Sequence, residues 1–86
     1  MKVVAKEIEM IAHFKDDGNI NPIRFRIEEN KKLKVIKIAK IISTDIEKLC
    51  GNRIWVYKCT AVVDSVEKLF EIKYDIENCR WILWKI

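Results

Sequence analysis

An all-β fold follows from three features of this 86-residue chain. Ile54–Val63 and Val66–Asp75 match position by position when folded about Asp64-Ser65. Val4–Phe14 and Ile23–Ile27 each alternate apolar and polar residues, on either side of a turn signal at Asp16-Asp17-Gly18-Asn19. Leu33–Ile42 is rich in β-branched residues, which favour strands, and its apolar positions form no clean helical face. The prediction is one domain over residues 1–86: an antiparallel meander of about six strands, curling into an SH3-like barrel or half-barrel.

The first strand places Ile8, Met10, Ala12 and Phe14 on one face and Glu7, Glu9 and His13 on the other. Gly18 supplies the left-handed conformation of a tight turn. Pairing residues to a sum of 35 sets Ile8 against Ile27, Met10 against Phe25, Ala12 against Ile23 and Glu9 against Arg26. Pro22 cannot donate a ladder hydrogen bond and belongs at a bulge, a strand start or an edge.

A turn at Asn30-Lys31 leads into the Leu33–Ile42 run. Its apolar phase shifts between Val35 and Ile36, which predicts a bulge or sharp bend. Thr44 with Glu47 resembles a capping box and Gly51 a helix stop, so one short helical turn is expected near 44–50. In the hairpin that follows, Val63 meets Val66, Cys59 meets Phe70, Tyr57 meets Ile72 and Trp55 meets Tyr74. Lys58 and Glu71 pair on its other face. A one-residue slip would misplace every apolar group, so the register is strongly specified. A turn at Glu77-Asn78 precedes the closing strand Arg80–Ile86, read with Ile82, Trp84 and Ile86 inward.

Composition narrows the function classes. Half the residues are hydrophobic and 35% are charged, with a net charge of +4. No apolar stretch approaches the ~20 residues that cross a bilayer, and charges interrupt the N-terminus, so no membrane association and a cytoplasmic setting are expected. Cys50, Cys59 and Cys79 form no Cys-x-x-Cys pair and lie far in sequence from the sole histidine, His13, so neither a metal site nor another cofactor is expected. Cys59 reads as a small core residue. His13 reads as solvated, Asp16-Asp17 as turn chemistry, and the two glycines are too far apart for a phosphate loop. The chain is not expected to be an enzyme.

Two surface features remain. Arg24 and Arg26, with Lys34, Lys37 and Lys40 on the next segment, form a basic stripe that could contact phosphates. Glu7, Glu9 and Glu28 are placed to neutralise it. Trp81 and Leu83 alternate with the presumed core residues of the last strand. With Ile54, Val56, Val62 and Leu69 they form an outward apolar set, to be covered by the 43–50 segment, by curling of the sheet or by a second copy. The expected function is a non-enzymatic interaction module, with a homodimer as one form. The alternative is a small nucleic-acid-binding barrel using Arg24, Arg26, Lys37 and Lys40 with Trp81.

The segments Asp17-Gly-Asn-Ile-Asn-Pro-Ile-Arg-Phe-Arg-Ile27, Lys34-Val-Ile-Lys-Ile38 and Trp81-Ile-Leu-Trp-Lys-Ile86 resemble a group of short clostridial and related bacterial proteins without an assigned activity. The resemblance implies a cytoplasmic bacterial protein with a small β-rich domain. It carries no catalytic motif and transfers no site.

Overall fold

The computed structural model describes residues 1–86, the side chain of Leu49 excepted. Seven strands run β1 (Val3–Phe14), β2 (Ile20–Glu29), β3 (Lys32–Lys37), β4 (Lys40–Leu49), β5 (Asn52–Val63), β6 (Val66–Asp75) and β7 (Arg80–Lys85). They form one antiparallel sheet in the order β3-β2-β1-β7-β6-β5-β4. No helix is long and apolar enough to cross a membrane.

Three hairpins turn on two residues each: Asn30-Lys31, Cys50-Gly51 and Asp64-Ser65. All six residues have positive φ. That is the signature of the turn whose twist matches the right-handed twist of its strands. The β5–β6 ladder has the expected register throughout, from Ile54 opposite Asp75 to Val63 opposite Val66. The β1–β2 ladder starts as expected, with Glu9 opposite Arg26 and Met10 opposite Phe25. It then shifts by one, and Ala12 meets Pro22 instead of Ile23. The missing N–H of Pro22 is thus accommodated at a bulge, and exposed Ile23 is the extra residue.

The Leu33–Ile42 run is two strands, β3 and β4, parted at Ile38-Ala39, which raises the strand count from six to seven. The Ile38 N–H donates to the Ile23 carbonyl and the Ala39 N–H to the Thr60 carbonyl. Adjacent residues therefore bind opposite sides of the curled sheet, and this corner draws the two edge strands together. The sheet does not close as a continuous ladder. Beyond the corner β3 approaches β5, and Lys34 reaches Asp64 at 2.9 Å.

Two further sequence expectations are corrected. The segment 44–50 holds no helical turn: Thr44 pairs with Tyr57, Ile46 with Trp55 and Glu47 with Ile54, and Cys50-Gly51 is a hairpin loop. Ladder formation with β5 overrides a local capping signal. The last strand has the opposite phase. Trp81 is 8% exposed and Leu83 is 2% exposed, because they stand opposite Tyr74 and Ile72 on the inner face of β6. Ile82 and Trp84 take the outer face, half-buried.

The inner face encloses the core. Phe25 and Ile36 from one end of the sheet meet Tyr57, Cys59, Phe70, Ile72, Trp81 and Leu83 from the other. Cys59 is fully buried, and burial pushes its thiol up to about 12. Burial also pushes the Tyr57 phenol up to about 12, and its hydroxyl donates to the Ile20 carbonyl at 3.3 Å.

Candidate interaction surface

The outer face of β1, β2 and β3 gathers most of the basic stripe. Strand alternation turns Phe25 and Ile36 inward and leaves Arg24, Arg26, Val35 and Lys37 outward. Arg24 stands directly opposite Ile11 on one side and Lys37 on the other. Arg26 stands between Glu9 and Val35. A groove of 470 Å³ runs along this face, lined by Glu9, Ile11, Arg24, Arg26 and Val35 among others.

Its charges divide into satisfied and unsatisfied. Arg26 donates from Nε and Nη2 to the two carboxylate oxygens of Glu9, at 3.2 and 3.0 Å. This fork holds the Glu9 carboxyl below its ordinary value. Arg24 and Lys37 join no ion pair among the described residues. Like charges directly opposite across a ladder oppose the pairing. Exposed aliphatic side chains share this face, Val35 at 64% exposed, Leu33 at 62% and Ile11 at 53%, with Glu28 directly opposite Leu33, away from Arg24 and Lys37.

The remaining residues of the stripe fall elsewhere. Lys34 lies three positions before Lys37, which in a strand means the other face; it sits opposite Ile27 and is held by Asp64. Lys40 opens β4 past the Ile38-Ala39 corner, opposite Thr60 on β5. Trp81 and Leu83 are core residues and offer no surface. Glu7, expected to neutralise the stripe, instead binds Arg80 at 2.9 Å.

The outer face of the β5–β6 hairpin is partly sealed by its own side chains. Lys73, opposite Val56, places its ammonium 4.1 Å from the centroid of the Trp84 ring and donates to Glu47 at 3.3 Å. Val56 is buried in consequence, while Val62 and Leu69 farther along stay exposed. A second groove, of 400 Å³, opens where Ile20 and Asn21 face Thr44, Trp55 and Tyr57.

Charge segregates along the sequence in the same sense. Residues 20–40 hold seven basic and two acidic side chains, a net of +5, and the other 65 residues hold ten basic and eleven acidic, a net of −1. The whole excess positive charge sits on β2, β3, the turn between them and the first residue of β4. Composition alone could have given this count; the pairing that isolates Arg24 and Lys37 could not be had without the register.

Compared with known proteins, the chain matches no family model, no curated protein and no solved structure.

Proposed function

We propose that the chain is a non-enzymatic interaction module that docks a protein partner on the outer face of β1–β3. The observation that carries this reading is the Arg24–Lys37 pair, which joins no ion pair among the described residues and lies beside exposed Ile11 and Val35. Facing water alone, such an arrangement costs stability; a partner that brings carboxylates and apolar groups turns it to use. A small SH3-like half-barrel in a reducing bacterial cytoplasm belongs to the same proposal, which the exposed free thiols of Cys50 and Cys79 support.

The test is photo-crosslinking in cells, from a benzophenone amino acid placed at Val35. A protease-sensitive adduct that disappears in the Arg24→Glu/Lys37→Glu double variant is the expected result. No adduct, or one indifferent to the charge reversal, overturns the proposal.

Nucleic-acid binding is the second reading, favoured by the net +5 over residues 20–40. It lacks the stacking contact assigned to Trp81, which is internal. It predicts oligonucleotide affinity at low salt that falls steeply as salt is added; no binding at low salt removes it.

A further inference from the structure

We propose that the β1–β3 outer face recognises an extended protein segment that carries an acidic side chain and then aliphatic side chains at every second position, on one face. This rests on the interaction-module reading and names the chemistry of the partner. The argument is charge and shape complementarity. Arg24 and Lys37 are adjacent cations that join no ion pair among the described residues, and a guanidinium beside an ammonium matches one or two carboxylates. Arg26 is already committed to Glu9, so the anion is directed to the Arg24 end of the groove. At the other end Val35 and Leu33 alternate along β3 with Lys34 and Ile36, which point inward. An extended chain repeats its side chains with the same two-residue period, so one face of it can set a carboxylate on Arg24–Lys37 and aliphatic groups on Val35 and Leu33.

Other occupants fit less well. A second copy related by a two-fold axis passing through this pair would set Arg24 and Lys37 against their own images, a like-charge contact. A nucleic acid would use the cations but would find aliphatic side chains where bases need aromatic platforms.

The experiment is a titration of the isotope-labelled chain, followed by NMR, with four probes: a short glutamate–valine peptide, Glu-Ser-Val-Ser-Val, its glutamate–serine and lysine–valine counterparts, in which serine replaces each valine or lysine replaces the glutamate, and a single-stranded oligonucleotide. The glutamate–valine peptide is expected to bind and to shift the amide signals of Ile11, Arg24, Val35 and Lys37. The glutamate–serine peptide should bind about tenfold more weakly, equivalent to about 1.4 kcal/mol of lost apolar contact. The lysine–valine peptide should not bind.

The two reversals Arg24→Glu and Lys37→Glu each convert the repulsive pair into an attractive one. Each should raise the melting temperature by about 2–5 °C while weakening the peptide at least tenfold. Stability and affinity moving in opposite directions separates recognition from misfolding. Lys58→Glu, on the exposed outer face of β5, should leave affinity unchanged.

Equal binding of the glutamate–valine and glutamate–serine peptides, tighter binding of the oligonucleotide on the same residues, or full affinity in both reversals overturns the proposal. If no peptide binds while the crosslinking at Val35 gives a protein adduct, the partner chemistry is wrong and the module reading stands.

Discussion

Phe25 on β2 and Phe70 on β6 meet with ring centroids 5.6 Å apart, although their strands are three ladder steps apart in the sheet. No ladder hydrogen bond joins β2 to β6, so this contact exists only because the sheet curls. Both rings are essentially inaccessible to solvent. Phe70→Ala is therefore expected to cost about 3–5 kcal/mol, with Phe25→Ala similar. A double-mutant cycle should return about 0.5–1.5 kcal/mol of coupling between the two rings. Additive effects in urea unfolding would mean that the two halves of the sheet do not rely on each other.

The outer face has its own small cluster. The Lys73 side chain is 12% exposed, between the Trp84 ring and Glu47. Trp84→Ala removes the ring that the ammonium faces and is expected to destabilise by about 1–2 kcal/mol. Lys73→Met keeps much of the stem that lies opposite Val56, and should cost less than Trp84→Ala. The urea midpoints of the two variants check this order.

The three thiols should differ sharply in reactivity. The thiolate is the reactive form, and Cys59 is buried with its thiol pushed up to about 12, whereas Cys50 and Cys79 are exposed. A chromogenic disulfide reagent at mildly alkaline pH should titrate two thiols in the native chain and the third only on unfolding. Three rapid equivalents without denaturant would contradict the burial of Cys59.

Turn residues offer stabilising substitutions. Ser65 and Lys31 hold φ of 65° and 62°, a left-handed conformation that costs a residue with a Cβ roughly 1 kcal/mol. Ser65→Gly and Lys31→Gly should each gain about 0.5 kcal/mol, part of the relief being offset by the freer unfolded chain. Gly51→Ala, at φ 85°, should lose about 1 kcal/mol. Thermal unfolding of the three variants tests the signs.

Acid should destabilise the fold through its paired carboxylates. The Asn78 amide and the backbone N–H groups of Asn78 and Glu77 donate to Asp75 and lower its pKa. Lys34 lowers that of Asp64, and Arg26 that of Glu9. A pKa depressed in the folded state gives stability that is present above the ordinary carboxylate value and lost as pH falls through the folded value. The urea midpoint should hold from about pH 8 to 5 and fall below about pH 4. Asp75→Asn should make that acid slope shallower; an unchanged slope would remove Asp75 from the explanation.

The misassigned phase of β7 shows where sequence reading loses its grip. Trp81, Ile82, Leu83 and Trp84 are all apolar, so period-two alternation has no contrast to work on. A signal was nonetheless present at the turn. Pairing Asp75 with Arg80 as opposite charges sets Tyr74 against Trp81, the observed register. The helical reading of 44–50 failed for the reverse reason: Thr44 and Glu47 gave a sharp local signal, and the ladder with β5 outweighed it.

The sequence by itself determined the strand pairs whose faces contrast in polarity: the β5–β6 register in full, the first half of β1–β2 and the inward place of Cys59. Each follows from short-range alternation and turn chemistry, which act between residues close along the chain. Only the tertiary structure decided that Trp81 and Leu83 are core, that Ile38-Ala39 is the corner joining the two edges, and that Arg24 stands beside Lys37 while Arg26 is paired with Glu9. Those outcomes depend on which strand lies on each side of a residue, a relation between distant parts of the chain that only the curled sheet fixes.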